Sequence, residues 1–252
     1  MELICPAGTR ASLEAAVEAG ADAIYCGFCD ETNARNFPGL NFTREDMRAG
    51  IAFAHRHGVK VLVAINTFAR AGALALWESA IDDAVEAGAD ALILADVATL
   101  DYAARRHPQQ RLHVSVQAGA ANPDAIRFYV ESFGAQRVVL PRVLSVPEIA
   151  AIMRETAWET EVFVFGGLCV MEEGRCSLSS SVTGKSPNMQ GVCSPASHVA
   201  YKERRGEIVS TLGGFTINRF GKHEPAGYPT LCKGRFSTPK GSGYIFEDPV
   251  SL

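Results

Sequence analysis

Four cysteines in the last third of the chain each lie beside turn-forming residues. They are Cys169, Cys176, Cys193 and Cys232, and their spacing is C-x6-C-x16-C-x38-C. Four thiolates on flexible turns can converge on one point, and four thiolates are the ligand set of a 2Fe–2S or 4Fe–4S cluster. Zinc also accepts four cysteines, but its sites usually contain a short C-x2-4-C pair, which this spacing lacks. The pattern therefore favours iron–sulfur over zinc, and the third alternative is four buried cysteines acting as small apolar residues.

The remaining three cysteines form a weaker pattern. Cys26-x-x-Cys29 follows a strand, and such a pair can be a redox couple or half of a metal site. Without a second C-x-x-C pair, we interpret Cys26, Cys29 and Cys5 mainly as small residues that line the ends of strands.

Polar residues end several of the apolar runs, where a core would require apolar side chains. Asn66, Gln117 and Arg142 each follow such a run, and Arg35 lies in a long loop after the second run. Arg35 and Arg142 together have the geometry to hold a carboxylate through paired hydrogen bonds, with Asn66 and Gln117 orienting the ligand. The alternatives are that the amides cap strand ends and that Arg35 is a solvated loop charge.

The elements that must position these residues alternate regularly over residues 1–165. Short Val-, Ile- and Leu-rich runs are typical of strands buried on both faces of a parallel sheet. They begin near Leu3, Ala23, Lys60, Ala91, Leu112, Arg137 and Val162. Amphipathic segments between them predict helices at Ser12–Ala19, Thr43–His57, Leu74–Ala87, Ala98–Arg106, Pro123–Phe133 and Val146–Glu155. Glycines follow four of these helices, where a glycine stop is expected: Gly20, Gly58, Gly88 and Gly134.

An internal repeat supports this alternation. The octapeptide Ala16–Ala23 recurs identically as Ala84–Ala91, at the end of a helix and the start of a strand. No dinucleotide-binding glycine pattern follows the first strand, so the sequence favours a (β/α)8 TIM-barrel-like fold over a doubly wound sheet. We count seven strands, and expect the last strand of the barrel to be missing from this chain.

The composition changes after the seventh strand. Ser, Gly, Pro and Thr dominate from Ser177 to Pro249, with some strand character at Glu207–Arg219. We therefore predict two units: residues 1–165 as barrel strands one to seven, and residues 166–252 as an irregular iron–sulfur-binding segment across the barrel mouth.

Overall composition limits the possible functions. The chain has 252 residues and a net charge of −4, with no basic run, so nucleic acid is not the expected partner. It has no apolar run of membrane-spanning length and no signal-peptide pattern, so we expect a cytoplasmic protein with reduced thiols. No H-E-x-x-H or G-x-S-x-G motif indicates hydrolytic chemistry.

One stretch of the chain carries a family resemblance. The pattern Glu161-x-Phe163-x-x-Gly166-Gly-Leu-Cys169-x4-Gly174-x-Cys176-x-Leu178-Ser179 is similar to the signature of the collagenase-like, U-thirty-two peptidase family. Gly167 stands where the family usually has Ser or Ala. Within the family, the resemblance is to the branch that acts in oxygen-independent ubiquinone biosynthesis. It extends to Asp30–Arg35, Leu140–Ser145, Gly191–Ala196 and Ala226–Arg235.

The resemblance implies a specific biochemistry. It implies a 4Fe–4S cluster, anaerobic hydroxylation of the quinone ring, and a heterodimer with a UbiV-like sister protein that carries its own cluster. A UbiT-like lipid-binding accessory protein is also implied, and a small carboxylated metabolite such as prephenate as the oxygen donor. The alternatives are a peptidase, the family's historical label, and a non-catalytic electron-transfer or scaffold subunit.

Overall fold

The protein folds around one parallel sheet of seven strands arranged in sequence order. The computed structural model describes residues 1–165, 176–204, 206–221, 223–224, 226, 230, 232, 235–239 and 241–244. The strands are β1 (Ile4–Pro6), β2 (Ala23–Gly27), β3 (Lys60–Ile65), β4 (Ala91–Leu94), β5 (Arg111–Val114), β6 (Arg137–Val139) and β7 (Glu159–Glu161). Parallel strands in sequence order, joined by helices, confirm the TIM-barrel-like α/β class predicted above.

Six helices connect these strands and cover one face of the sheet. They are α1 (Arg10–Glu18), α2 (Arg44–Arg56), α3 (Ala75–Glu86), α4 (Val97–Arg106), α5 (Pro123–Phe133) and α6 (Val146–Glu155). All six helices predicted from the sequence are confirmed to within two residues at each end. Each of the four predicted glycine stops has a positive φ, as expected for a helix terminator: Gly20, Gly58, Gly88 and Gly134. Within the described ranges, we find no helix that combines the length and apolarity needed to cross a bilayer.

Two apolar layers explain why the strands are apolar without alternation. In β3, Val61, Val63 and Ile65 pack against the helices, in a cluster that includes Trp77 and Leu100. Leu62 and Ala64 point the opposite way and form a second cluster on the inner face with residues of β2 and β4. Because successive strand residues face opposite sides, a strand buried on both faces must be apolar throughout.

The sheet is curled into a half barrel, and ion pairs join its amino-terminal edge. A Glu2 carboxylate oxygen lies 2.8 Å from Lys60 Nζ on β3, and the other lies 2.5 Å from Arg137 Nη2 on β6. In a flat sheet, β1 and β6 would be about 24 Å apart, at about 4.8 Å per strand. A glutamate and an arginine cannot span that distance, so the contact requires strong curvature.

Strand seven differs from its prediction. It begins at Glu159, three residues before the predicted start at Val162, and pairs with β6 through the register Val139↔Glu161. The cause is polarity: Glu159 and Glu161 face Arg137, so this strand lacks the apolar run that marks the others. No eighth strand joins this sheet in the described parts of the chain.

The segment after the barrel is more regular than its composition predicted. It contains α7 (Ser177–Thr183), the short α8 (Pro187–Gln190), and an antiparallel sheet of β8 (Val199–Arg204), β9 (Glu207–Leu212) and β10 (Phe215–Phe220). A hairpin of β11 (Arg235–Thr238) and β12 (Gly241–Tyr244) follows. Gly213 and Gly214 both have positive φ and form the tight β9–β10 turn, which explains why a strand pattern continues through two glycines.

Candidate functional site

A pocket opens at the carboxyl-terminal end of the barrel, where the strand ends converge. Including its opening to solvent, it has a volume of about 330 Å³. We call it the mouth pocket; its lining residues come from six strands and their following loops, namely Tyr25, Ala64, Asn66, Ile93, Ser115, Val116, Val139, Glu161 and Phe163. Sites at this edge are typical of barrel enzymes, because the βα loops gather there.

Three charged side chains surround the Tyr25 hydroxyl. Burial raises the pKa of Tyr25, the nearby Arg35 and Arg142 guanidinium groups lower it, and Glu161 raises it. The charges of Arg35 and Arg142 therefore act on a residue of the pocket, and their contact with a carboxylate stays a prediction. The Arg142 guanidinium also lies over the ring of Phe163, a residue that lines the pocket, with its Cζ atom 4.9 Å from the ring centroid.

Asn66 lies in the mouth pocket, but its amide already has protein partners. Asn66 Oδ1 accepts a hydrogen bond from the backbone N–H of Ala34 at 3.0 Å, and Nδ2 donates to Ser115 Oγ at 3.2 Å. These bonds fix the loop that carries Arg35 to the end of β3. Asn66 therefore caps the end of its strand, which was one of the two roles considered from the sequence. Because it also lines the pocket, contact between Asn66 and a ligand stays a prediction.

Gln117 is buried and joins the barrel to the segment that carries the cysteines. Its Oε1 atom accepts a hydrogen bond from Asn188 Nδ2 at 2.5 Å. Asn188 in turn accepts from the backbone N–H of Cys176 at 3.3 Å, and its carbonyl accepts from the N–H of Phe68 at 2.6 Å. Gln117 is not among the residues that line the mouth pocket. Its observed contact holds the cysteine-bearing segment against the barrel. Contact between Gln117 and a ligand stays a prediction.

A second contact fixes the same segment against the loop after β2. The backbone N–H of Asn36 donates to the carbonyl of Gly191 at 2.7 Å. Gly191 has φ +74°, and a Cβ atom there would lie 2.3 Å from the carbonyl oxygen of Asn33. Only glycine allows so close an approach of the two backbones. The loop bearing Arg35 therefore lies directly beneath the loop bearing Cys193.

Two of the predicted ligand cysteines, Cys176 and Cys232, act electrostatically on a third, Cys193. Burial raises the pKa of the Cys193 thiol, Arg35 lowers it, and the charges of Cys232 and Cys176 raise it. Each of the three is half-buried. Cys169 lies outside the described residues. Within the described part of the chain, we find no group of three or more His, Cys, Asp or Glu side chains in an arrangement that would hold a metal ion.

The other cysteines lie in the barrel, in different surroundings. Cys26 is fully buried between sheet and helices, its sulfur 3.5 Å from Met47 Sδ, and burial raises the pKa of its thiol to about 12. Cys29 is exposed, and Cys5 is half-buried in β1. Cys26 thus faces the helices, where we had expected a residue lining the mouth.

The sequence interpretation missed several pocket residues. Glu161, Ser115 and Phe163 were not assigned to a site. Glu161 ends β7, but the predicted start at Val162 excluded it from the strand. The signal that could have revealed it is the alternation of Glu159, Glu161 and Phe163, three residues that a period of two places on one face.

The fold and the site together define a class of protein: a curled parallel α/β half barrel whose carboxyl edge holds a pocket beneath a cysteine-bearing segment. The chain belongs to peptidase family U32, whose sequence model matches residues 8–230.

Relatives of known name match most of this chain. It is 34% identical to the tRNA hydroxylation protein P of Escherichia coli (strain K12), over 82% of this chain and 45% of that protein. It is also 34% identical to the 23S rRNA 5-hydroxycytidine C2501 synthase of the same organism, over 83% of this chain and 31% of that protein. This chain therefore spans less than half of either relative.

A solved structure supports the fold. The U32 peptidase Mk0906 superposes with a TM-score of 0.54 and 20% identity, over 66% of this chain and 69% of that one. At this identity the likeness concerns the fold alone.

Proposed function

We propose that this chain is an iron–sulfur protein that takes part in oxygen-independent hydroxylation. Two relatives at 34% identity are named for hydroxylation of RNA. The observation that carries the proposal is Arg35, whose charge acts on both Cys193 and Tyr25. One side chain therefore acts electrostatically on both a cysteine and the mouth pocket, as expected if a redox group serves a substrate bound at the barrel mouth.

The cysteines fit a 4Fe–4S cluster in donor type and surroundings. Cys169, Cys176, Cys193 and Cys232 would supply four thiolates, the full ligand set of such a cluster. Arg35 favours the thiolate form of Cys193 by lowering the pKa of its thiol. When bound, a cluster with four protein ligands supplies electron transfer. Substrate binding then falls to the residues of the mouth pocket.

Arg142 and Arg35 are the groups suited to an anionic ligand. Both carry a permanent charge close to the Tyr25 hydroxyl. A guanidinium binds a carboxylate through two parallel hydrogen bonds, which fixes the ligand's orientation as well as its position. Asn66 lines the same pocket, and Gln117 holds the adjoining segment. A small carboxylated metabolite such as prephenate, acting as oxygen donor, is the ligand class that we propose for these arginines.

The substrate that we propose is a ubiquinone precursor. This proposal rests on the resemblance of Asp30–Arg35, Leu140–Ser145 and Ala226–Arg235 to UbiU. It includes a UbiV-like sister protein as heterodimer partner and a UbiT-like accessory protein that presents the lipid. The second candidate is hydroxylation of an RNA base, and the names of the two relatives favour it. The net charge of −4 and the lack of a basic run in the sequence argue against RNA as the substrate.

One experiment separates these substrates. The protein is expressed with its sister protein in a strain lacking its own U32 hydroxylation proteins and grown without oxygen. Mass spectrometry then measures hydroxylated quinone intermediates and hydroxylated nucleosides from the same culture. We expect the quinone product, and its loss with Cys193→Ala. Hydroxylated nucleosides with unchanged quinones would assign the chain to RNA, and neither product would reject hydroxylation.

A peptidase remains the alternative that the family name carries. The described residues include one Ser–His contact, Ser197 Oγ to His198 Nδ1 at 3.0 Å, between neighbours on an exposed turn. A nucleophile and base normally require a third group that orients the base and a site for the scissile carbonyl. Gelatin hydrolysis by iron-free protein, abolished by Ser197→Ala, would support the peptidase. A scaffold subunit would instead retain iron and show neither activity.

A further inference from the structure

Glu161 lines the mouth pocket and is the pocket's one carboxyl group among the described residues. Its side chain is 17% exposed. One carboxyl oxygen, Oε2, is buried without a hydrogen-bond partner in the described parts of the chain. A buried polar atom left unpaired costs free energy, so its presence in a pocket indicates that another molecule supplies the partner.

The nearest cation does not satisfy that oxygen. Arg137 Nη1 lies 3.6 Å from Glu161 Oε2, beyond the range of a good hydrogen bond. Arg137 is itself held by Glu2 at 2.5 Å and by Glu159 at 2.7 Å. Arg137 therefore has two closer carboxylate partners, and its contact with Glu161 is the longest of the three.

The rest of the pocket lining indicates the shape and polarity of a ligand that would fit beside Glu161. Apolar side chains from two strands, β4 and β6, and from the segments that follow β5 and β7 surround the cavity: Ile93, Val116, Val139 and Phe163. Asn66, another polar side chain in the lining, already bonds Ala34 and Ser115. An apolar ring suits these walls, and a polar substituent on that ring finds its partner at Glu161.

We infer that Glu161 is a specificity-determining residue of the mouth pocket and hydrogen-bonds a hydroxyl group carried on an apolar ring. A hydroxyl both donates and accepts, so it pairs with a carboxyl group in either protonation state. Burial raises the pKa of Glu161 more than Arg137 lowers it. The inference rests on the proposed function for the natural ligand, a ring that is hydroxylated, but its test does not.

The test uses two rings of similar size, phenol and fluorobenzene, of which only phenol carries a hydroxyl. Isothermal titration calorimetry under argon measures both dissociation constants on the full chain with its cluster reconstituted. We expect phenol to bind about tenfold more tightly than fluorobenzene, the effect of one buried hydrogen bond to a carboxyl group. Glu161→Met, which keeps side-chain length, abolishes this preference. Glu161→Gln, which keeps shape and polarity and so folds most readily, reduces it.

Glu159 provides the matched control. It lies two residues earlier on the same face of β7 and also contacts Arg137, but it does not line the pocket. Glu159→Gln should keep the phenol preference. Equal binding of the two rings by the unaltered protein, or an unchanged preference in both Glu161 variants, overturns the inference. Iron and sulfide content, measured on the same samples, reports separately on the proposed function, because a sample without a cluster can still prefer phenol.

Discussion

At the scale of single residues, the cysteines lie in two environments, and we predict opposite effects on iron content when they are replaced. Cys193 lies near Cys176, Cys232 and Arg35, whereas Cys26 is buried against Met47 between sheet and helices. Burial raises the pKa of the Cys193 thiol, so at neutral pH it carries a proton that a cluster must displace. Arg35 assists by favouring the thiolate.

The cysteine panel follows from this division. Replacing Cys169, Cys176, Cys193 or Cys232 by Ala should strip iron and sulfide from anaerobically purified protein, because each removes one of four ligands. Cys26→Ala should lower stability through a core cavity and leave the iron in place. Iron, sulfide and visible absorption measure the outcome. Iron retained by Cys193→Ala but lost by Cys26→Ala would refute the ligand set, and one zinc per chain would refute the metal.

Arg142 gives a second prediction at this scale. Arg142→Ala should keep the cluster and lose anaerobic hydroxylation by at least tenfold, because the anionic ligand loses a charged, hydrogen-bonding partner. Arg142→Lys should also be impaired, since an ammonium cannot form the same paired bonds. Iron content and product yield are measured together. Full yield with an intact cluster would remove Arg142 from the site, and loss of the cluster would instead show a structural role.

At the residue scale, polar residues at strand ends marked the carboxyl edge of the barrel, and ligand contact at these residues stays a prediction. Asn66, Arg35 and Arg142 were placed near one pocket because parallel strands share a carboxyl edge. Glu161 was missed because the inward side chains of β7 are charged, which hides a strand from a search for apolar runs. The bond between Gln117 and Asn188, 71 residues apart, has no local signal at all.

At the scale of elements, the cysteine-bearing segment is docked on the barrel by α8 and its end. Asn188 in α8 bonds Gln117, and Gly191 just after it meets the loop after β2. The six barrel helices were predictable because their amphipathic periods and glycine stops are local features. Of the later elements, only the strand character at Glu207–Arg219 was predicted, and the short α7 and α8 were not, because each is only one or two turns long and lacks an amphipathic period.

Gly191→Ala tests this docking. The added Cβ would lie 2.3 Å from the Asn33 carbonyl oxygen, at a φ that disfavours alanine, so we expect a loss of about 1–3 kcal/mol in the free energy of unfolding. We also expect a lower iron content, since Cys193 lies two residues away. Urea unfolding and iron assays measure the two effects.

Gly184→Ala is the matched control for that clash. Gly184 also follows a helix with positive φ, +69°, but a Cβ there would meet no atom within 4 Å. It therefore adds the backbone strain without the collision. Equal destabilisation and equal iron content in the two variants would show that the contact with Asn33 does not hold the segment.

At the scale of the whole molecule, the two edges of the sheet have different roles. The carboxyl edge carries the mouth pocket and the cysteine-bearing segment. The amino edge carries a chain of ion pairs that runs from Lys60 through Glu2, Arg137 and Glu159 to Arg111. These residues begin or precede strands β3, β1, β6, β7 and β5, so three of the four ion pairs join strands that are not neighbours, and the fourth joins the paired strands β6 and β7. Barrel folds commonly separate stability at one end from chemistry at the other.

Glu2 is the link that tests this arrangement. Hydrogen bonds from Lys60 and Arg137 lower the pKa of Glu2 to about 2, from an ordinary value of 4.5. A lowered pKa means that the unfolded chain takes up the proton first as the pH falls. The stabilisation is therefore complete above pH 4.5 and is lost as the pH approaches 2. Glu2→Gln should lower stability at pH 7, by about 1 kcal/mol as for a partly exposed pair, and the difference should vanish towards pH 2.

Glu14→Gln is the control for an ordinary surface pair. Glu14 contacts Arg10 within helix α1 at 2.7 Å, so its loss affects one turn of one helix. Thermal unfolding of both variants from pH 7 to pH 2.5 makes the comparison. We expect Glu2→Gln to be the more destabilised, because it disconnects β1 from both β3 and β6, and we expect that gap to close with acid. If the two variants unfold alike at pH 7, or if the Glu2→Gln deficit persists unchanged at pH 2.5, then Glu2 does not hold the curled sheet together.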